Sequence, residues 1–97
     1  MSTYIILGQF SQKGIEHIKD APSRLDAVKQ AARAAGGEIK AFYLVMGQYD
    51  FVVVTEAPDD ATLAKVLLAA AAQGNFRSET LRAFPENEYR SIVASLP

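Results

Sequence analysis

Between Glu38 and Glu56 the chain holds two β-rich runs that are apolar on both faces, joined through Met46-Gly47-Gln48-Tyr49-Asp50. In the first run Ile39, Ala41, Tyr43 and Val45 alternate with Lys40, Phe42, Leu44 and Met46. In the second, Phe51, Val53 and Thr55 alternate with Val52 and Val54. Branched and aromatic residues at a period of two predict strands, and a short glycine-containing link between them predicts an antiparallel hairpin. Gly47 tolerates the positive φ of a tight connection, and Gln48 suits a solvent-facing tip. A hairpin apolar on both sides has to be covered on both sides. The rest of the chain must therefore supply one cover, and something else must supply the other.

The flanking segments supply the first. Tyr4 to Phe10 is a short apolar strand, and Ser11 can cap a turn of helix with Ile15 and Ile18 on its apolar side. Asp20-Ala21-Pro22 restarts the helix, with Asp20 as the cap and proline in the first turn. Leu25, Val28, Ala32 and Ala35 then recur at helical spacing until Gly36-Gly37, the first glycine predicted as a left-handed cap. After the hairpin, Asp59 caps a second helix and Asp60 favours its first turn. Ala64, Leu67, Leu68 and Ala71 are its predicted buried stripe, Gly74 ends it, and the alanines from Ala69 to Ala72 predict a close approach to the sheet. Phe76 to Phe84 is a fourth strand, broken by Pro85. Glu86 to Leu96 can form a terminal helix with Tyr89, Ile92, Val93 and Leu96 on one side.

The order β-α-β-β-α-β plus a terminal helix is the α+β, ferredoxin-like arrangement, expected here as one domain over residues 1–97. Right-handed crossovers put both long helices on one face of a four-stranded antiparallel sheet. Ile5, Leu7, Phe42, Leu44, Val52 and Val54 form a set that alternates with other apolar residues, and the sequence does not decide which set meets the helices. The uncovered face predicts a homodimer joined through its sheets, or a larger homo-oligomer, because apolar burial at roughly 25 cal/mol per Å² outweighs the entropy of pairing.

Charge narrows the partners. Ten Lys and Arg are scattered among eleven Asp and Glu, a net charge of −1, so no basic surface for nucleic acid is expected. Cysteine is absent, which removes disulfides, thiolate metal sites and a cysteine nucleophile. The amino terminus lacks the basic region of a signal peptide and no apolar run reaches a membrane span, so the expected location is cytoplasmic.

Gly14, Ala21-Pro22-Ser23-Arg24, Gly36-Gly37, Tyr43, Met46-Gly47-Gln48-Tyr49-Asp50, Glu56-Ala57-Pro58-Asp59-Asp60 and Gly74 through Phe84 follow one another in a pattern that resembles the GYD-domain family. Gly47-Gln48-Tyr49-Asp50 matches its Gly-x-Tyr-Asp motif. Phe76 and Ser78 depart mildly, where valine and threonine are usual. The resemblance implies a dimeric α/β barrel, and a distant similarity to the effector-binding domains of leucine-responsive regulators. It implies no particular activity.

Five side chains are candidates for a ligand site. Tyr49 and Asp50 lie at the mouth of the hairpin, where a phenol and a carboxylate can bind a small molecule or move a proton. They can equally serve as edge packing and a turn cap. Arg82, on the last strand, can anchor a carboxylate if it faces a cavity. For Arg77 on the same strand an ion pair with Glu79, Glu56 or Asp50 is the simpler expectation. His17, the sole histidine, is a surface residue or a base beneath the first helix, and it lacks the ligands of a metal site. Tyr43, with Tyr4 and Phe42, is either pocket wall or core. No phosphate loop, nucleophile elbow or paired-carboxylate spacing is present, so no catalytic residues, metal or cofactor are assigned. The expected function is a small-molecule-binding or regulatory homo-oligomer. The alternative, resting on fold analogy, is a cofactor-independent monooxygenase- or isomerase-like enzyme with Tyr49, Asp50, His17 and Arg82 as its polar wall.

Overall fold

A computed structural model describes residues 1–97. Four strands, β1 (Ser2–Phe10), β2 (Glu38–Leu44), β3 (Phe51–Ala57) and β4 (Phe76–Ala83), form one antiparallel sheet in the order β2-β3-β1-β4. The helices are α1 (Gln12–Glu16), α2 (Ala21–Ala34), α3 (Asp60–Ala71) and α4 (Glu86–Ala94), with a 3₁₀ turn at Ile18–Asp20 before α2. This is the ferredoxin-like α+β fold. No helix is long and apolar enough to cross a membrane.

The two faces of the sheet are now assigned. Tyr4 and Ile6 of β1 and Phe51, Val53, Thr55 and Ala57 of β3 are buried beneath the helices, with Leu63 of α3 packed against them. Ile5, Leu7, Val52 and Val54 lie on the other, open face, where Ile5 pairs with Val54 and Leu7 with Val52. Phe42 and Leu44 do not share that face as the alternation suggested. Ile39 pairs with Thr55 but Ala41 pairs with Val54, so Lys40 is an extra residue in β2. Such a bulge reverses the side on which every later residue of the strand points. Phe42 and Leu44 therefore join the helix side, and Ala41 and Tyr43 take the open side. Lys40, displaced from the ladder, sits 3.5 Å from Glu38 and 3.7 Å from Glu56.

The connection from β2 to β3 is longer than a tight hairpin turn. β2 ends at Leu44, Met46 is almost wholly exposed at the tip, and Gly47 has φ +129°. The Val45 amide donates to the Asp50 carbonyl at 2.9 Å, and the Asp50 amide donates to the Gly8 carbonyl at 2.8 Å, so the loop is tied to β1.

The helix ends follow the expected chemistry at three places and depart from it at one. Ser11 accepts the Gly14 amide at 3.1 Å and caps α1. Gly36, at φ +88°, closes α2: its amide reaches the Arg33 carbonyl at 3.0 Å and the Gly37 amide reaches that of Ala32 at 2.8 Å. Asp59 caps α3 by accepting the Thr62 amide at 2.8 Å. Asp20, by contrast, makes no side-chain cap. The preceding 3₁₀ turn already holds Asp20 in a helical conformation, and a capping side chain needs extended backbone. Its carbonyl instead accepts the Ser23 hydroxyl at 2.8 Å.

The bonds from Thr62 hold the Asp59 carboxyl below its ordinary value. A depressed native pKa contributes stability that is present above the unfolded carboxylate range and is lost as pH falls through the native value. In acid titrations followed by circular dichroism, Asp59→Ala is expected to flatten the acid limb of the stability profile. An unchanged limb would show that the cap contributes nothing.

The buried stripe of α3 is rotated from the predicted one. Leu63 is buried and Val66, Leu67 and Ala70 are half-buried, whereas Leu68 is largely exposed. The helix is apolar nearly all round, so periodicity alone could not choose the face. The terminal helix stops at Ala94, short of the predicted Leu96, and of the predicted stripe it carries Tyr89, Ile92 and Val93, all solvent-exposed.

Candidate functional site

Under α2 and α3 the helix layer and the sheet do not meet in a filled core. They leave between them a cavity of about 680 Å³ that is half open to solvent. Its floor is the phenylalanine layer of the sheet. Phe51 lies at the centre, with ring centroids 5.4 Å from Phe10, 5.7 Å from Phe42 and 5.7 Å from Phe76. Its roof mixes small and large residues: Ala27, Ala31 and Ala32 of α2, Ala35 just after it, and Ala69 and Ala70 of α3 line the space beside Leu25, Val28, Leu63, Val66 and Leu67. Ala69 and Ala70 thus open onto a void, where the sequence predicted a close approach to the sheet. Alanines set opposite bulky rings fill too little volume once the rings have fixed the spacing of the layers. The size falls within the ordinary range for small-molecule sites.

Polar groups on this wall are few. Thr55 is spoken for, donating to the Glu38 carbonyl at 2.9 Å. Arg24 donates to the His17 carbonyl at 3.0 Å, and Glu56 faces Lys40. Asn75, on the short segment before β4, is 8% exposed and also lines the cavity.

A second recess of about 260 Å³ lies on the other side of α3, between Tyr4, Asp60, Leu63, Ala64, Leu67, Thr80 and Arg82. The Tyr4 hydroxyl donates to the Asp60 carboxylate, tying β1 to the first turn of α3. That bond, with burial second, raises the Tyr4 pKa. The Arg82 guanidinium lies 5.7 Å from the Tyr4 ring centre and 4.5 Å from that of Phe84, and donates to the Thr3 carbonyl at 3.4 Å and to the Ala83 carbonyl.

The five candidate residues of the sequence are not brought into one place. The Asp50 carboxylate accepts the Phe10 amide at 2.9 Å, and together with its backbone bonds it fastens the loop to β1. The Tyr49 hydroxyl crosses to β4 and donates to Glu79 at 2.7 Å, and the Gln9 side-chain Nε2 donates to the Gln48 carbonyl at 2.7 Å. Arg82 pairs with Tyr4 on β1, roughly 14 Å along the sheet from Gly8, where the loop is tied. Tyr43 is 59% exposed on the open face, and His17 is exposed at the end of α1. A shared polar wall of Tyr49, Asp50, His17 and Arg82 is therefore not formed. No three His, Asp or Glu side chains come together as a metal set. Sequence reasoning missed the cavity. The one available signal was alanine on the inward faces of both helices over a phenylalanine-rich sheet.

The hydrogen bond to Glu79 raises the Tyr49 pKa, as the bond to Asp60 raises that of Tyr4. In both, the protonated phenol is the form the native state holds, so this stabilisation is present below the unfolded tyrosine pKa and is lost as pH rises through the native one. Phenolate absorbance is expected to show two of the four tyrosines titrating late, and Tyr49→Phe is expected to remove one. Four overlapping normal titrations would refute both contacts.

Residues 4–93 match the family model described as GYD domain. A curated relative, the glutamine synthetase and cystathionine beta-lyase binding protein of Thermus thermophilus, is 40% identical over 86 residues, covering 88% of this chain and 90% of its own. Among solved structures, the leucine response regulatory protein of Mycobacterium tuberculosis superposes with TM-score 0.65 at 15% identity, over 87% of this chain. This chain spans 51% of that regulator's length. A solved protein from Thermus thermophilus superposes with TM-score 0.54 at 24% identity, over 88% of this chain and 95% of its own. The structural likenesses show the shared fold. The chain belongs to the GYD-domain family.

Proposed function

We propose that this GYD-domain protein is a regulatory binding module that holds a small, mainly apolar molecule between its helices and its sheet, and that self-associates through the open sheet face. The cavity of about 680 Å³ carries this reading. A void of that size lined by phenylalanine and alanine forfeits packing in a chain of only 97 residues, and a ligand would restore it. The relative named for binding glutamine synthetase and cystathionine beta-lyase supports an enzyme as the protein partner.

Self-association rests on the open face, where Ile5, Leu7, Val52 and Val54 are flanked by exposed Tyr43 and Leu81. Four strands of about seven residues present roughly 450 Å² in projection. Two such faces fall short of the roughly 1,200–2,000 Å² of a stable interface, so self-association has to draw on further apolar surface, of which Tyr89, Ile92 and Val93 of α4 are exposed. In this arrangement Tyr43 and Tyr49 belong to the interface, Asp50 to the loop anchor and Arg82 to the recess beside α3. His17 stays in solvent.

Native mass spectrometry on protein purified gently from its own host tests the reading. The expected result is an oligomer carrying a stoichiometric extra mass, which Ala70→Phe, projecting a ring into the cavity, weakens without unfolding the chain. Adduct-free protein that also fails to take up any apolar probe would overturn it.

A further inference from the structure

The chemistry of the cavity wall narrows what it can hold, given the cavity as the ligand site proposed above. Asn75 is the group that does so. More than nine-tenths of this residue is buried, it lines a largely apolar space, and none of the side-chain hydrogen bonds of the fold involves its carboxamide. An amide sealed off in that state would be costly, because burial strips its water and nothing in the fold replaces it. No side-chain nitrogen or oxygen is sealed off without a partner in this protein, so the carboxamide is not wholly cut off, and its residue lines the cavity.

Its placement is not slack. The three carbonyls of Gln73, Gly74 and Asn75 are each held from the start of α1: Lys13 Nζ donates to Gln73 at 2.7 Å, Ser11 Oγ to Gly74 at 2.5 Å and the Ser11 amide to Asn75 at 3.0 Å. Gly14 completes the clamp. A Cβ there would stand 2.0 Å from the Asn75 carbonyl oxygen, so only glycine lets α1 come this close. The backbone is thus fixed by Ser11, Lys13 and Gly14, while the side chain it carries has no partner. That is the pattern of a preorganised binding group.

We infer that Asn75 is the polar anchor of the cavity, and that the ligand is a neutral, flat, aromatic molecule bearing one hydroxyl or carbonyl group. A carboxamide both donates and accepts, so it can meet either group. The four phenylalanine rings offer faces and edges to a planar ligand. An ionised ligand is disfavoured by the cost of desolvating its charge on a largely apolar wall, whose only charged residues are Arg24 and Glu56.

Naphthol, naphthalene and naphthoate, titrated by fluorescence into the intact protein, separate the possibilities. The expected result is that naphthol binds about tenfold more tightly than naphthalene, the equivalent of one well-made hydrogen bond, and that naphthoate binds more weakly than naphthol. Asn75→Leu should erase the preference for naphthol and leave naphthalene binding intact. Asn75→Ser, too short to reach the ligand, should do the same if the leucine variant does not fold. Equal affinity for naphthol and naphthalene, or a preference that survives both variants, would overturn the role of Asn75 and leave the cavity standing as a site. Failure of all three probes to bind would remove the cavity reading and this inference with it.

Discussion

Phe51→Ala is expected to destabilise the protein by about 3–5 kcal/mol, the largest effect of any single truncation in this fold. Phe51 is 7% exposed and is the common neighbour of Phe10, Phe42 and Phe76. Its ring also lies across Gly8, where an added Cβ would fall 2.0 Å from Cζ, so Phe51 packs directly on the β1 backbone. Removing the ring deletes its transfer free energy and joins the vacated volume to an existing void. For a domain near 100 residues the loss corresponds to a fall in Tm of roughly 15–30 °C. Chemical denaturation measures it directly. A change under about 1 kcal/mol would mean that the phenylalanine layer relaxes and that Phe51 is no hub.

Val52→Asp is expected to abolish self-association while leaving the monomer folded. Val52 pairs with Leu7 on one side and Tyr43 on the other, at the middle of the open face. In a monomer the new carboxylate meets water and costs little. Between two sheets it is desolvated without a partner, which corresponds to self-association at least roughly 100-fold weaker. Phe42→Asp is the informative contrast. The bulge at Lys40 puts Phe42 on the helix side, packed against the core, so its replacement should unfold the chain rather than dissociate it. Sedimentation velocity with circular dichroism reads both variants. A Val52→Asp protein that stays oligomeric and folded would remove the open face as the interface.

Much of this architecture was legible from the residues. The four strands, the caps at Ser11 and Asp59, the stop at Gly36 and the family pattern all appear where local signals put them. The candidate site was far less legible. Tyr49 and Asp50 looked like a polar pair, but one donates to Glu79 and the other anchors the Phe10 amide, partners 30 and 40 residues distant along the chain. Tyr4, read as pocket wall or core, is buried in the core, and its hydroxyl is also bonded to Asp60, 56 residues away.

The sequence by itself determined the order of elements, the period of each strand, most helix ends and the need to cover two apolar faces. Those properties depend on residues within a few positions of one another, and a linear pattern carries them. Tertiary structure alone decided which face of β2 carries Phe42, which stripe of α3 is buried, and that alanines over phenylalanines leave a cavity with Asn75 on its wall. The face of β2 depends on pairing register across strands, the stripe on how α3 is seated, and the cavity on volumes contributed by elements far apart in the chain. No local pattern encodes a sum of that kind.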